Sequence, residues 1–306
     1  MKTDVKAHLE QLATRFGMEA YISKIQTDTV MSDGFRLHLD VMVYDRNAPT
    51  LVFVPGTATY ALCFAQLLSR LFDAGFNIVG IDPRGHGQSE GRRGDYTIAE
   101  LVRDTQAAVT YAIQNFNERV SVMGCSQGGV VAFYTAATDD RLQSAICQNI
   151  ADLVDPRTAE VSRFPRLTRI AKPALRVACA IAPSVRISVS SYIDHRKMHV
   201  AHYGNIKNFI KKDPIALKAI SIRALHSLIN TPLSCQVEQI KTPIMVLHPA
   251  KDQIFSLSYT RYLFNRLQCP KQLEIFPDLD HVMMVNHPEK IAPPVIQWLQ
   301  TIYGKA

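Results

Sequence analysis

Hydrophobic and polar positions alternate along residues 36–43, whereas residues 50–54 are almost continuously apolar. Alternation predicts an edge strand with one face in water, and a continuous apolar run predicts a strand covered on both faces. By the same criteria we predict further strands at residues 76–82, 120–123, 142–149, 243–248 and 272–276.

Helical patterns separate these strands. We predict helices at residues 5–16, 61–74, 98–116, 129–137 and 288–303. Strands that alternate with helices predict an α/β fold with a mostly parallel central sheet and helices on both faces. The alternation stops at residue 151 and resumes at residue 243. We therefore predict a core of residues 1–150 and 233–306, and an inserted helical unit of residues 151–232, here called the central segment.

The charge is concentrated in the central segment. It holds 14 Lys and Arg against 5 Asp and Glu, whereas the rest of the chain holds 20 against 22. The formal net charge of +7 therefore belongs to one part of the surface. Aromatic residues do not interleave with these cations and no known nucleic-acid module is present, so nucleic-acid binding is not predicted.

The cysteines indicate a reducing compartment. They are scattered, with no C-x-x-C pair, which favours free thiols over disulfides or a zinc site. The first residues lack the apolar run of a secretory signal, and no apolar stretch is long enough to span a membrane. We expect a cytoplasmic protein. The cysteines are residues 63, 125, 147, 179, 235 and 269.

One turn carries the strongest chemical signal. Residues 124–128 read Gly-Cys-Ser-Gln-Gly, between a β-branched run and a small apolar run. A serine on such a strand-to-helix turn exposes its hydroxyl, and the flanking glycines let the backbone fold back on itself. The pattern predicts Ser126 as a nucleophile and Cys125 as a small packed residue. The alternative is a glycine-rich turn with an idle serine.

A serine nucleophile needs a histidine base that is oriented by a carboxylate. In this architecture the acid and then the histidine follow the serine along the chain. Asp252 follows the strand at 243–248, and His281 follows the strand at 272–276. The carboxyl ends of parallel strands are where such sheets bind ligands, so both positions suit a catalytic site. Asp278 and Asp280 compete with Asp252, but they flank His281 too closely in sequence to reach its far nitrogen easily.

Acyl transfer also needs backbone N–H groups that stabilise the developing oxyanion. The N–H of Gln127, directly after the serine, is one candidate. The second should come from the turn at residues 55–59, where Gly56 permits an unusual backbone and the Thr57 N–H is the first choice. The alternative is an ordinary Pro-Gly turn after a buried strand.

With these motifs, residues 27–303 resemble the α/β-hydrolase superfamily, and within it the group of monoacylglycerol lipases, lysophospholipases and serine aminopeptidase-like hydrolases. The further markers are residues 82–89 (Asp-Pro-Arg-Gly-His-Gly-Gln-Ser) and the pair Asp280-His281. The resemblance implies that residues 82–89 form a structured turn in which His86 is structural. The family usually has His-Gly at the oxyanion turn, where this chain has Pro55-Gly56.

The resemblance implies a serine hydrolase of carboxylic esters, with lipid-like acyl esters such as a monoacylglycerol or lysophospholipid as substrate and no metal or organic cofactor. It also implies that the central segment is a helical cap over the site. The cationic, apolar stretch at residues 171–181 has two interpretations. It could contact an anionic membrane surface, which would make the protein peripheral to a membrane, or it could face its own pocket with a solvated basic side.

Three alternatives stay open. A serine aminopeptidase-like peptidase needs acidic side chains in the cap to hold a substrate ammonium, and the basic central segment counts against it. A thioesterase or acyltransferase would use the same triad. A non-catalytic binding protein on this fold would have a broken triad, whereas the sequence supplies a complete one.

Overall fold

Strands and helices alternate along the chain, as the sequence predicts. The computed structural model describes residues 8, 10, 11, 13, 14, 19–161, 165–192, 198–201 and 203–304. Its strands are β1 (Gln26–Ser32), β2 (Phe35–Met42), β3 (Thr50–Val54), β4 (Asn77–Asp82), β5 (Val120–Cys125), β6 (Ser144–Gln148), β7 (Arg186–Ser188), β8 (Ala219–Ser221), β9 (Ile244–Pro249) and β10 (Lys271–Phe276). Its α-helices are α1 (Glu19–Ile22), α2 (Ala65–Asp73), α3 (Ile98–Asn115), α4 (Gln127–Ala136), α5 (Pro165–Ile181), α6 (Val189–Tyr192), α7 (Ile206–Lys212), α8 (Ile222–Asn230), α9 (Leu257–Arg266), α10 (Met283–Asn286) and α11 (Pro288–Tyr303). Short 3₁₀ segments lie at Ala61–Phe64, Pro156–Val161 and Val237–Gln239.

The main sheet has eight strands in the order β1-β2-β4-β3-β5-β6-β9-β10. The pairs β1–β2 and β2–β4 are antiparallel, and the other neighbours are parallel. Because β3 pairs with β4 on one side and with β5 on the other, the strand order reverses at β3. In open parallel sheets the crevice for a ligand lies at such a reversal, beyond the carboxyl ends of the strands.

Each face of the sheet has its own apolar core. All five residues of β3 are buried. Leu51 and Phe53 contribute to a core that includes α2 and α11, whereas Val52 and Val54 contribute to one that includes α3 and α4. Each buried side chain of this size stabilises the fold by roughly 1.5–3 kcal/mol relative to an exposed one. The predicted α/β architecture, with helices on both faces, is confirmed.

The prediction of an edge strand at residues 36–43 is wrong, because β2 lies between β1 and β4. Its alternation has a different cause: the polar side chains of His38 and Asp40 hydrogen-bond to each other, with Nε2 and Oδ1 2.9 Å apart. The edge strand on this side of the sheet is β1, whose mostly polar and exposed sequence gave no strand signal.

Other differences are smaller. The central segment is not wholly helical, because β7 and β8 pair within it as a short antiparallel sheet. Helix α9 follows the predicted acid and was not anticipated. The predicted helix at residues 5–16 lies partly outside the described residues; residues 8, 10, 11, 13 and 14 are helical. The boundaries of the inserted unit stay a prediction.

Hydrogen bonds stabilise the turn at residues 82–89. The carboxylate of Asp82 accepts the N–H groups of Ala61 and Gln88, both at 2.9 Å. A Cβ atom on Gly87, which has a φ of 48°, would lie 1.8 Å from Asp82 Oδ2. His86 is buried, hydrogen-bonds to the Arg84 carbonyl oxygen and hydrogen-bonds with the Thr57 backbone. Burial lowers the pKa of His86 to about 4, so this histidine is neutral at physiological pH.

A buried ion pair anchors the same turn. The Arg84 guanidinium donates to Asp104 and Asp33, with Nη2 2.6 Å from Asp104 Oδ1. Arg84→Met leaves the fully buried Asp104 without its partner, so we expect a loss of about 3–5 kcal/mol in the free energy of unfolding. Urea unfolding measures it. As a control, Arg36→Met breaks an exposed pair with Glu90 and should cost at most about 1 kcal/mol. Equal losses in the two variants would contradict the prediction.

Candidate active site

Ser126 occupies a sharp turn between β5 and α4. Its φ of 55° and ψ of −117° are strained for a residue with a side chain, at a cost of roughly 1–3 kcal/mol. Backbone segments approach each other so closely at this turn that positions 124 and 128 have no room for a side chain. A Cβ atom on Gly124 would lie 2.0 Å from the Gly128 carbonyl oxygen, and one on Gly128 would lie 2.1 Å from the Val54 carbonyl oxygen. These contacts explain why the turn requires glycine two residues before and after the serine.

The structure brings Ser126, His281 and Asp252 together. Ser126 Oγ lies 2.8 Å from Nε2 of His281. Nδ1 of the same imidazole lies 3.1 Å and 3.0 Å from the two carboxylate oxygens of Asp252. The backbone N–H groups of Ile254 and Phe255 donate to Asp252 Oδ1. A histidine that is linked to a serine on one side and a carboxylate on the other has the geometry to activate that serine.

The competing aspartates have other partners. Asp278 is exposed and pairs with Lys251, and Asp280 Oδ1 accepts the N–H of Val282 at 2.9 Å. Neither carboxylate hydrogen-bonds to the His281 ring in the described structure, and only Asp252 does. The Cys125 thiol is buried, and burial together with the nearby Asp252 charge raises its pKa, which makes it a poor nucleophile.

Asp252 and His281 shift each other's pKa. Burial favours the neutral form of Asp252, but the charge and hydrogen bond of His281 and the N–H groups of Ile254 and Phe255 outweigh it, so the pKa of Asp252 is lowered. Burial likewise favours neutral His281, but the carboxylate of Asp252, with a smaller contribution from Asp280, raises the pKa of His281 above its ordinary value. The site therefore stabilises the imidazolium that forms when His281 accepts a proton.

Two backbone N–H groups near Ser126 have no hydrogen-bond partner in the part of the chain that the structure describes. Val54 and Gly124 are paired neighbours in β3 and β5, so the turn at residues 55–59 begins beside the serine. The N–H groups of Thr57 and Gln127 donate to none of the residues that the structure describes. Both are therefore available to an oxyanion. Their roles as oxyanion donors stay a prediction.

The side chain of Gln127 connects these two positions, and sequence reasoning missed it. Gln127 Oε1 accepts from the Thr57 hydroxyl at 2.6 Å and from the Tyr96 hydroxyl at 3.0 Å. This acceptor ties the turn that carries Thr57 to the first residue of α4. Only the backbone of Gln127 is implied by its position after the serine, so the sequence motif gave no signal for the side chain.

A cavity of about 130 Å³ opens beside Ser126 and His281. Apolar side chains from the core and from the central segment line most of it. They are Ile22, Ala58, Leu62, Phe64, Ala65, Val189, Met198, Val200, Ile206, Phe209, Ile210, Ile254, Val282, Met284 and Val285. The central segment also bonds to the turn at residues 55–59, because the N–H of Leu217 donates to the Ala58 carbonyl oxygen at 3.1 Å.

One carboxylate lines this cavity. Asp213 is the acidic residue among the described lining residues. Its Oδ1 accepts the N–H groups of Ile215 and Ala216, and its Oδ2 bonds to the Tyr60 hydroxyl and to His8. Internal donors thus occupy both oxygens.

The family model described as Hydrolase_4, serine aminopeptidase, S33, matches residues 45–289, which is most of the chain. The chain belongs to this family. Hydrolase_4 membership identifies it as a hydrolase, and the α/β-hydrolase fold expected from the sequence is confirmed.

Relatives of this Hydrolase_4 protein include a monoacylglycerol lipase and a thiohydrolase. A monoacylglycerol lipase of Mycolicibacterium smegmatis is 25% identical over 278 residues, which cover 87% of this chain and 93% of that lipase. The thiohydrolase aneE of Aspergillus aculeatus is 25% identical over 290 residues, which cover 88% and 89% of the two chains. The crystal structure of a monoacylglycerol lipase from Paleococcus ferrophilus superposes with a TM-score of 0.69 at 21% identity, covering 87% of this chain and 99% of that one. This last likeness is one of fold.

The described residues contain neither a membrane-spanning helix nor a cluster of metal ligands. No helix there is both long and apolar enough to cross a membrane. No three or more His, Cys, Asp or Glu side chains in the same part of the chain are grouped so that they could hold a metal ion.

The titration of His281 tests the electrostatics of the site. We expect its NMR titration midpoint above 6.5, the ordinary value for histidine. Asp252→Asn should lower the midpoint, because it removes the charge that opposes burial. Asp278→Asn, which alters an exposed carboxylate, should leave it unchanged. A midpoint that does not respond to Asp252→Asn would refute this account.

Proposed function

We propose that the protein is a serine hydrolase of carboxylic esters, acting on lipid-like acyl esters of the monoacylglycerol or lysophospholipid type. The observation that carries this proposal is the hydrogen-bonded series Ser126–His281–Asp252 beside an apolar cavity. In a serine hydrolase such a series turns a weak hydroxyl nucleophile into a reactive one.

The reaction proceeds in two steps. Ser126 Oγ attacks the ester carbonyl carbon while His281 Nε2 takes its proton, and the proton then passes to the leaving alcohol. Water, activated by the same histidine, releases the acid from the acyl-enzyme. Asp252 holds Nδ1 of the imidazole and stabilises its charged form. The N–H groups of Thr57 and Gln127 bind the oxyanion of each tetrahedral intermediate, and in serine hydrolases the loss of one such donor costs roughly 10²–10³ in rate.

The cavity supports an apolar acyl group. Its lining is mostly aliphatic and aromatic, with Ser126 and His281 among its polar members. Each methylene group that leaves water on binding contributes about 0.8 kcal/mol. A chain of several carbons therefore gains much of its binding energy from this lining, without a charged contact.

The hypothesis that the protein is a peptidase has weaker support. A substrate ammonium needs an acceptor in the cavity, and Asp213 is the carboxylate that lines it. Both Asp213 oxygens already bind internal donors, and freeing them would leave Tyr60 and His8 without their partner. A thioesterase would use the same three residues. Because one relative is named a thiohydrolase, thioester hydrolysis stays an alternative function.

Ser126→Ala tests the proposed nucleophile. We expect it to abolish hydrolysis of p-nitrophenyl esters and labelling by a fluorophosphonate, because no hydroxyl remains to attack. Circular dichroism should show an intact fold. Ser234→Ala, which removes an exposed hydroxyl bonded to the Ala137 carbonyl oxygen, is the matched control and should keep both activities.

The substrate panel separates the alternatives. Monoacylglycerols, lysophospholipids, acyl thioesters and aminoacyl p-nitroanilides are compared at equal concentration. Turnover of the lipid esters above the others supports the proposal. Preferred turnover of the anilides would overturn the proposal in favour of a peptidase. Labelling that persists in Ser126→Ala would refute Ser126 as the nucleophile.

We also propose that the central segment contacts anionic membrane surfaces. Val177 and Ile181 on α5 are 58% and 78% exposed, and Val185 just beyond is 53% exposed. Arg176 and Arg186 are exposed on the same stretch. Exposed aliphatic residues beside cations suit an interface with acidic lipids, where each Lys or Arg near the surface contributes about 1 kcal/mol.

Sedimentation with liposomes tests this contact. We expect binding to vesicles that contain phosphatidylserine, weaker binding to neutral vesicles, and a decline with added salt. Ile181→Asp should reduce binding several-fold because it places a negative charge at the surface, whereas Met31→Asp, at an exposed apolar residue on β1, should not. Equal binding by the two variants would contradict the proposed surface.

A further inference from the structure

The dipeptide Gln148–Asn149 touches all three residues of the proposed triad. Because β6 lies between β5 and β9, its carboxyl end lies between the elements that carry Ser126 and Asp252. The Gln148 carbonyl oxygen accepts the Ser126 N–H at 3.1 Å. The Gln148 side-chain Nε2 donates to the His281 carbonyl oxygen at 2.7 Å. Asn149 Nδ2 donates to Asp252 Oδ2 at 3.0 Å.

We propose that Gln148 and Asn149 are positioning residues of the triad: Asn149 fixes the carboxylate of Asp252, and Gln148 fixes the backbone that carries His281. This inference rests on the proposed serine hydrolase function. Neither residue touches the reacting atoms, so each acts through the group that it holds.

Asn149 completes the fixation of the Asp252 carboxylate. Oδ1 is held by the N–H groups of Ile254 and Phe255 at 2.8 Å and 3.1 Å. Oδ2 bonds to the His281 ring and to Asn149. An ionised carboxylate accepts hydrogen bonds and cannot donate them, so the amide must present its nitrogen. Without Asn149, the His281 imidazole would be the one partner of Oδ2 among the described residues.

The backbone at Asn149 restricts which residue can serve. Its φ of 73° lies in the left-handed region, which glycine, asparagine and aspartate tolerate best. Among these, glycine has no side-chain donor and ionised aspartate is an acceptor, which leaves asparagine. Oδ1 of Asn149 is buried and accepts no hydrogen bond from the described residues. A strained backbone and an unpaired buried oxygen are retained together where the nitrogen contacts Asp252, as is typical of functional sites.

Gln148 acts on the histidine. Its side chain is fully buried, and its Oε1 accepts from the Cys125 thiol with the two atoms 3.4 Å apart. The amide thus bridges the residue before the serine and the carbonyl group of His281. Such a bridge fixes the backbone of His281, and with it the distance between the imidazole and Ser126 Oγ.

Asn149→Gly tests the proposal, because glycine accepts the backbone conformation and removes only the amide. We expect kcat for a p-nitrophenyl ester and the rate of fluorophosphonate labelling to fall roughly 10- to 100-fold, with little change in KM, since misplacement of a catalytic group costs this much. Gln148→Met, which keeps the volume, should lower kcat in the same way. Asn117→Gly is the control: it removes an amide that donates to the carbonyl oxygens of Arg46 and Ala48, and it should leave kcat unchanged.

A double-mutant cycle separates positioning from simple destabilisation. If Asn149 acts through Asp252, then Asn149→Gly should cost almost nothing further in the Asp252→Asn background.

Two outcomes would overturn the inference: wild-type kcat in Asn149→Gly, or additive losses in the cycle. If the wild-type protein is labelled at Ser126 and Asn149→Gly is labelled equally fast, the positioning role alone fails. If the wild-type protein is not labelled at all, the proposed function fails and the positioning role fails with it.

Discussion

The close approach of backbone segments around Ser126 is the constraint on which the site depends. Gly124, Gly128 and Gly129 each lie where a Cβ atom would be about 2 Å from a carbonyl oxygen of a neighbouring segment. This packing holds Ser126 at its positive φ and stacks the ends of β3, β5 and β6 against one another. The strain at the serine is local, and the buried sheet that surrounds it is what keeps it in place.

The order of the strands in the sheet places the other parts of the site around Ser126. The turn that carries Thr57 follows β3, the serine follows β5, the dipeptide Gln148–Asn149 lies at the carboxyl end of β6, and Asp252 and His281 follow β9 and β10. Neighbouring strands thus deliver successive parts of the site to one edge of the sheet. Since each part sits on a different strand, the geometry depends on the register of the whole sheet and not on any one loop.

The sequence predicted those parts that short-range patterns encode. Apolar runs identified β3, β4 and β9, and the glycine spacing identified Ser126. It did not identify β1, whose polar and exposed residues are held by pairing with β2, nor the contact of Asn149 with Asp252, which joins residues 103 positions apart. Such contacts depend on which strands are neighbours, and periodicity within one segment carries no information about that.

The bond between Leu217 and Ala58 links the central segment to the turn that carries Thr57. The same segment walls the cavity, so any outward swing of residues near Leu217 would pull on that turn through a main-chain hydrogen bond. The position of the central segment and the position of the Thr57 N–H therefore depend on each other through this one main-chain contact.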